Sequence, residues 1–245
     1  MIPLERRSKM DTDKIKALQE DINNAKHIAF LTGAGVSTHS GIPDYRSKGG
    51  IYNGVAESPE TILSDDTLFN RPQFFYNFVM NNMYFPDAKP NLIHKKIAEI
   101  SNKKGTLITQ NIDTLDTRAG NKHVIEFHGN LYNIYCTKCH KHLTYDDYAQ
   151  GYLHKDCGGI IRPGIVLYGE AINPATLEKS VAAMEKSDLV IIVGTSFVVY
   201  PFAQLLAYRK PNAKVWSVNK TEIAASGINS IIDDARNVFL KINLK

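Results

Sequence analysis

Cysteine is scarce in this chain, which has three among its 245 residues, and tryptophan occurs once. An odd number of cysteines, two of them in a C-x-x-C pair, does not form a disulfide framework and favours metal or redox chemistry. The sequence also lacks any apolar run near the roughly 20 residues that cross a bilayer. Basic side chains near the N-terminus are not followed by an apolar stretch, so there is no secretory signal pattern. We therefore expect a cytoplasmic protein that does not bind membranes.

A strong excess of one charge is missing as well. Lysine and arginine total 29 and aspartate and glutamate total 25, which leaves a net charge of +4. This is too small to predict binding to nucleic acid. No internal repeat or low-complexity linker divides the chain. We predict one functional domain over residues 1–245, acting as a monomer.

Apolar segments with strand character alternate with helical segments along the chain. Several of the apolar runs are continuous rather than alternating, as expected for parallel strands that are covered on both faces. This alternation predicts an α/β fold with a doubly wound parallel, Rossmann-like sheet. Strands are predicted at residues 28–31, 106–109, 124–127, 165–167, 189–193 and 214–218, and helices at 13–26, 92–100, 174–186 and 202–208.

Two stretches interrupt this alternation. Residues 49–84 contain loop-like breaks and an aromatic cluster, and residues 132–160 contain all three cysteines in a hairpin-like pattern. We predict that both are insertions, one helical and one metal-binding, which form a smaller lobe over the carboxyl edge of the sheet. Folds of this class bind their ligands at that edge. The larger lobe then comprises residues 13–48, 85–131 and 161–245.

A glycine-rich turn follows the first predicted strand. Gly33 and Gly35 stand where glycines let the backbone approach a pyrophosphate, while the N-terminus of the next helix offers free N–H groups. Thr38 occupies the position at which a dinucleotide fingerprint has its third glycine. The continuation through residues 40–46, Ser-Gly-Ile-Pro-Asp-Tyr-Arg, is not required by an ordinary dehydrogenase turn.

Polar residues follow three of the predicted strands. Asn111 and Asp113 alternate on an extended segment after residues 106–109, so both side chains can face one cleft. Asp113 is also placed to cap the turn that follows it. A lone histidine is more often packed or exposed than catalytic, and the support for His128 is its position between an apolar strand and a glycine. The third polar site is Gly194-Thr195-Ser196, after residues 189–193.

These motifs, in this order, resemble the sirtuins, which are NAD-dependent protein deacylases. The resemblance is carried by the turn and its continuation through residue 46, by Gln110-Asn111-Ile112-Asp113 and by Phe127-His128-Gly129, and it spans residues 28–234. It implies an enzyme that transfers the acyl group of a modified lysine to ADP-ribose. The implied products are free lysine, nicotinamide and O-acyl-ADP-ribose, NAD being consumed. The implied partners are acylated-lysine proteins or peptides.

The resemblance also implies residue roles. His128 is implied as the base that acts on a ribose hydroxyl, a task that suits a pKa near neutrality, with Asn111 as the second catalytic residue. Asp113 is implied to bind the nicotinamide carboxamide, Asn219 to contact the adenosine ribose, and Tyr45 to screen the nicotinamide pocket where phenylalanine is commoner. The implied NAD-binding set is Gly33, Ala34, Gly35, Thr38, Tyr45, Arg46, Gln110, Asn111, Ile112, Asp113, His128, Gly194, Thr195, Ser196, Asn219 and Asp234.

The cysteines supply three of the four ligands that a tetrahedral zinc ion requires. Cys136 and Cys139 form one close pair, and the resemblance implies a second pair, of which Cys157 is one member. The other position of that pair holds His154, so we predict one structural zinc ion bound by three cysteines and a histidine. Loss of the metal is the alternative reading, and the competitors for the fourth position are His140, His142 and Asp156.

Two further segments, residues 166–170 and 196–199, match the peptide-binding region of the family. The resemblance implies that an extended peptide adds as a strand between them, which gives affinity with weak sequence preference. Residues 76–79 lack the arginine carried by members that prefer succinyl or malonyl groups, and an unpaired buried acid is costly. We therefore expect acetyl and other neutral acyl groups. The substrate contacts are assigned to Val166, Tyr168, Gly169, Glu170 and Val198.

Three other functions stay open at this point. An ADP-ribosyltransferase would use the same fold, although Asn111 and His128 favour deacylation. A hydride-transfer oxidoreductase fits the glycine turn but not the missing third glycine. A non-catalytic NAD sensor is disfavoured because the expected catalytic side chains are present.

Overall fold

The computed structural model describes residues 4–44, 50–51 and 57–244, with the side chains of the first helix described from residue 12 onward. Short 3-10 helices occur at Ala34–Val36, Thr38–Ser40 and Phe202–Tyr208. The strands are β1 Ile28–Thr32, β2 Gly105–Thr109, β3 Val124–Glu126, β4 Gly129–Cys136, β5 His142–Leu143, β6 Ile161–Ile165, β7 Leu189–Val193, β8 Lys214–Asn219 and β9 Asn229–Ile232. The α-helices are α1 Leu4–Asn24, α2 Pro59–Ile62, α3 Asp65–Asn70, α4 Pro72–Asn82, α5 Leu92–Lys104, α6 Leu115–Arg118, α7 Tyr145–Ala149, α8 Pro174–Lys186 and α9 Ala235–Phe239.

The larger sheet is six-stranded and parallel, in the order β3-β2-β1-β7-β8-β9, which confirms the predicted doubly wound fold. The strand order reverses between β1 and β7, whose last residues, Thr32 and Val193, are partners in the ladder. At such a reversal the loops after the two strands diverge to opposite faces and leave a crevice. The glycine turn and the residues after Val193 therefore meet at one point.

Strand β1 shows why the sheet needs helices on both faces. All five of its residues are buried, and successive side chains point to opposite sides. Ile28 and Phe30 pack in the cluster that contains the apolar residues of α1 and α5. Ala29 and Leu31 pack in a second cluster, with Met184 of α8 and the 3-10 helix at Phe202–Tyr208. A strand with a continuous run of apolar residues is therefore stable only when both faces of its sheet are covered.

A three-stranded antiparallel sheet, in the order β5-β4-β6, carries the cysteine pair. The prediction of a strand at residues 165–167 is wrong, because the strand is β6 and it belongs to this smaller sheet. Pro163 has no N–H to donate, which suits the edge position that β6 occupies. Strand β9 was not predicted: it is a short edge strand whose only two apolar residues stand at its end.

The helical insertion and the cysteine-bearing hairpin share one apolar core. Phe75 of α4 packs in the same cluster as Leu131 and Ile134 of β4 and Tyr148 of α7. The small antiparallel sheet continues to Ile165, beyond the lobe boundary proposed at residue 160. Within the described residues, no helix combines the length and the apolarity needed to cross a membrane.

Candidate active site and metal centre

A cavity of about 990 Å³ opens at the carboxyl ends of β1 and β7. Its size matches that of pockets that bury a large organic ligand. The predicted substrate residue Val198 is not among the residues that line it and is 57% exposed, whereas Tyr45 and Arg46 lie outside the described residues. The predicted residues that line the cavity are Gly33, Ala34, Gly35, Thr38, Gln110, Asn111, Ile112, His128, Gly194, Thr195, Ser196, Asn219 and Asp234, together with Val166, Tyr168, Gly169 and Glu170.

The two loops that form the crevice touch through glycine backbone. The N–H of Gly35 donates to the carbonyl oxygen of Gly194 at 2.8 Å, and a Cβ on Gly35 would lie 2.7 Å from the same oxygen. No side chain fits at such a distance, so glycine is required for the loops to pack together. Gly33, Ala34 and Gly35 of this turn line the cavity, which suits the approach of a pyrophosphate.

Asn219, at the end of β8, lines this cavity and carries an unpaired donor. Its Oδ1 accepts a hydrogen bond from the N–H of Thr195 at 3.0 Å, which orients the amide. The Nδ2 atom is buried and has no hydrogen-bond partner among the described residues. A buried donor left unpaired costs free energy that a bound ligand can recover. This donor and the glycine turn fit the ribose hydroxyls and the pyrophosphate of NAD.

His128 follows β3 and is held by a backbone contact. Its Nδ1 lies 3.3 Å from the carbonyl oxygen of Gln110, which can only accept, so Nδ1 carries the proton and Nε2 keeps its lone pair. Burial lowers the pKa of His128, and the bond to Gln110 opposes this shift in part. The rings of Phe127 and Phe202 pack around it, with centroids 5.4 and 6.2 Å from the imidazole. The residue is therefore a neutral base beside the cavity.

Asn111 and Asp113 meet through a hydroxyl that sequence reasoning did not assign. Ser37 donates to Asp113 Oδ2 at 2.6 Å and accepts from Asn111 Nδ2 at 3.3 Å. Asp113 does not line the large cavity but an adjoining one of about 20 Å³, which Asn111 also lines. Burial raises the pKa of Asp113, while the bonds from Ser37 and from the N–H of Leu115 act to lower it. The bond from Leu115, at 2.9 Å, is the predicted capping contact.

His94, on α5, is a second residue that sequence reasoning missed. Its Nδ1 accepts from the N–H of Asn91 at 3.2 Å, so the ring proton is on Nε2, which lies 3.4 Å from Ser37 Oγ. Burial lowers the pKa of His94 to about 4, so the ring is neutral. Because Ser37 lies inside the glycine turn, the sequence could have indicated that it belongs to the site. A lone histidine in a helix, such as His94, gives no such indication.

The predicted metal ligands come together at the end of the small sheet. The Sγ atoms of Cys136 and Cys157 are 3.5 Å apart, and His154 Nδ1 lies 3.3 Å from Cys139 Sγ and 3.1 Å from Cys157 Sγ. All four ligand atoms lie within 4.8 Å of one another. Bonds of about 2.3 Å to sulfur and 2.0–2.1 Å to nitrogen in a tetrahedral zinc site require a group of about this size.

This arrangement favours His154 as the fourth ligand. His154 is 6% exposed and directs Nδ1 into the cluster, while its Nε2 lies 3.4 Å from Asp156 Oδ2. A carboxylate in that place orients a metal-binding imidazole rather than binding the metal. His140 and His142 are not part of the group. The residues therefore fit one structural zinc ion, with no position left open for a water molecule.

Comparisons with known proteins agree with this geometry. The model of the Sir2 family matches residues 33–201. A curated NAD-dependent protein deacetylase of Listeria innocua is 52% identical over 227 residues, covering 92% of this chain and 99% of that protein. One of Listeria monocytogenes is 50% identical over 227 residues, with the same coverage of 92% and 99%. A solved Sir2 structure with a p53 peptide and NAD+ has a TM-score of 0.83 at 34% identity, covering 93% of this chain and 96% of that one. The chain belongs to the Sir2 family.

Proposed function

We propose that this protein is an NAD-dependent protein-lysine deacetylase that also accepts other neutral acyl groups. The observation that carries the proposal is that His128 and Asn111 line the same cavity as the glycine turn and Asn219. A candidate general base and residues that fit a dinucleotide thus share one cavity. Relatives named NAD-dependent protein deacetylase, at up to 52% identity, support the same activity.

NAD would supply the electrophilic C1′ of the nicotinamide ribose for the acyl oxygen, with nicotinamide as the leaving group, and a ribose hydroxyl as acceptor of the acyl group, while water would complete the release of the lysine amine. His128 would accept the proton of that hydroxyl through its unprotonated Nε2. Ser37 holds the amide of Asn111 and the carboxyl group of Asp113 together. Fixed dipoles and a buried carboxyl group stabilise positive charge at the sugar better than mobile water does.

The acylated peptide is proposed to bind along residues 166–170. Val166, Tyr168 and Gly169 line the same cavity as His128, so a lysine side chain that enters beside them reaches the base. Val198, which is exposed outside the cavity lining, is proposed to meet the peptide backbone at the entrance. The solved Sir2 protein with a p53 peptide supports a peptide partner for the family. We propose a monomer with the lobe boundaries given by the sequence, except that the cysteine-bearing insertion extends to Ile165. Light scattering tests the monomer, and limited proteolysis tests the boundaries.

The test is the reaction itself. Purified protein is incubated with an acetyl-lysine peptide, with and without NAD, and the products are identified by mass spectrometry. We expect free lysine, nicotinamide and O-acetyl-ADP-ribose only when NAD is present. His128→Ala removes the reaction, while His123→Ala, which changes an exposed histidine, leaves it unchanged. Attachment of ADP-ribose to protein without loss of acetyl groups would establish the transferase alternative instead.

A further inference from the structure

Arg162, on strand β6, is almost fully buried and uses its guanidinium group to hold one short segment of backbone. The side chain is 4% exposed. Its Nη2 donates to the carbonyl oxygen of Ile165 at 2.7 Å, and its Nε donates to that of Pro163 at 3.2 Å. The remaining bonds, from Nη1 and Nη2, go to both carboxylate oxygens of Glu170 at 2.5 and 3.1 Å. The fork geometry of arginine makes such a bidentate pair directional as well as strong.

Glu170 was assigned above as a substrate contact, yet its carboxylate is already engaged. Besides the two bonds from Arg162, Oε2 accepts from the N–H of Leu167 at 2.8 Å. The backbone N–H of Glu170 in turn donates to the carbonyl oxygen of Leu167 at 3.0 Å. The side chain therefore closes a tight loop over residues 167–170 and fastens that loop to the small sheet. Such a carboxylate acts on the substrate through the backbone it orients.

The same loop is held on its other side by the helical insertion. Tyr168 donates its N–H to Leu63 at 2.8 Å and accepts from the N–H of Asp65 at 3.1 Å. Gly169 has φ of +95°, and a Cβ there would lie 2.4 Å from Asp65 Oδ1. Residues 166–170 thus bridge the insertion and the small sheet, and all five of them line the cavity. Their position is set by contacts from both parts of the small lobe.

We propose that Arg162 and Glu170 are positioning residues, which hold residues 166–169 in the conformation that binds the acylated peptide. The inference rests on the proposed function, since it concerns the peptide used in that reaction. Replacing a buried ion pair by apolar groups is often neutral for stability. The value of this pair lies in geometry. Arg162 donates two hydrogen bonds to the carbonyl oxygens of Pro163 and Ile165, and Glu170 accepts one from the N–H of Leu167.

The experiment compares Glu170→Gln with wild-type protein in steady-state kinetics. Glutamine keeps the size of the side chain but removes the charge that Arg162 requires. We expect the KM for an acetyl-lysine peptide to rise about tenfold to hundredfold, as for a displacement near 1 Å. The KM for NAD is expected to change less than about twofold, because the glycine turn and Asn219 are not touched. Glu99→Gln is the matched control, since it breaks an exposed pair with Lys96 outside the cavity lining.

Two further measurements separate positioning from general damage. The zinc content of Glu170→Gln must equal that of wild type. Amide hydrogen exchange at Leu167 must be faster in this variant than in wild type, while the amides of β7 exchange at the wild-type rate. If Glu170→Gln fails to fold, the double variant Arg162→Met/Glu170→Leu is used in its place, because it fills the site with apolar side chains. We expect it to show the same rise in the peptide KM. Partial rescue is expected for Glu170→Asp relative to Glu170→Gln.

An unchanged peptide KM in a folded, zinc-loaded variant would overturn the inference. Equal changes in the KM for peptide and for NAD, or a loss that follows the folded fraction alone, would overturn it as well. Failure of the wild-type protein to deacetylate the peptide is a different result, because it refutes the proposed function. The exchange measurement at Leu167 still tests the positioning of the loop in that case.

Discussion

His128 Nδ1 lies 3.3 Å from the carbonyl oxygen of Gln110, and this contact determines which ring nitrogen carries the proton. A carbonyl oxygen only accepts, so the hydrogen is on Nδ1 and the lone pair is on Nε2. Strand β2 leads into Gln110 and β3 leads into His128. The parallel pairing of these strands therefore selects the tautomer that a general base needs.

We expect the deacetylation rate to fall at acidic pH with a midpoint below 6.5, the ordinary pKa of histidine. Burial lowers the pKa of His128 from 6.5, so the base form persists as the pH falls to that value. We predict that kcat/KM for the acetyl peptide is flat near pH 7 and falls with a midpoint below 6.5. Steady-state rates from pH 5 to 8 measure it. A midpoint above pH 7 would contradict this prediction. In His128→Gln, kcat/KM for the acetyl peptide should fall by a factor of about 10²–10⁴.

Asn219→Asp tests the unpaired donor in the cavity. Aspartate retains an acceptor for the N–H of Thr195 but replaces the free Nδ2 by an oxygen that cannot donate. We expect the Kd for NAD to rise about fivefold to 150-fold, since losing a partner for a buried group costs ~1–3 kcal/mol. Isothermal titration calorimetry measures the Kd. Asn229→Asp, on the edge strand β9, is the control, and unaltered NAD affinity in Asn219→Asp would remove this residue from the cofactor site.

His154→Ala is expected to release zinc. The imidazole Nδ1 lies 3.1–3.3 Å from two cysteine sulfurs, and three ligands alone bind the ion more weakly. Elemental analysis after dialysis should show about one zinc per chain in wild type and in His142→Ala, and much less in His154→Ala. His154→Cys should restore the metal, because a thiolate is an equivalent ligand. Full occupancy in the alanine variant would exclude His154.

The buried carboxyl group of Asp116 is expected to make the free energy of unfolding depend on pH. Burial, with the nearby charge of Asp113, raises the pKa of this carboxyl group to about 8, while a side-chain hydrogen bond with Thr109 acts to lower it. The folded state therefore retains a proton that the unfolded chain releases, so stability falls as the pH rises from 3.8 to about 8. Relative to Asp116→Asn, the free energy of unfolding should fall by up to ~1.4 kcal/mol per pH unit. Urea unfolding at several pH values measures this difference, and parallel curves for the two proteins would contradict it.

Regular elements with strong local patterns were predictable from the sequence. The bounds of β7 and α8 agree with the prediction, because a continuous run of branched apolar residues and a proline in the first helical turn are local signals. The apolar run at residues 165–167 led to a wrong strand prediction, since such a run does not determine which sheet it joins. The antiparallel pairing of β6 with β4 decides that assignment.

The sequence alone determined the parallel sheet, the glycine turn and the order of the polar strand ends, because these depend on side-chain period and on backbone freedom within a few residues. The tertiary structure decided that Ser37 joins Asn111 to Asp113, that His154 and not its neighbours completes the metal cluster, and that Glu170 is engaged by Arg162. Ser37 lies 74 and 76 residues from its two partners, and His154 lies 15 residues from Cys139. Arg162 and Glu170 are only eight residues apart, but they meet because the loop after β6 folds back. The distances in these contacts follow from how the sheets and helices pack, and no local pattern of residues encodes them.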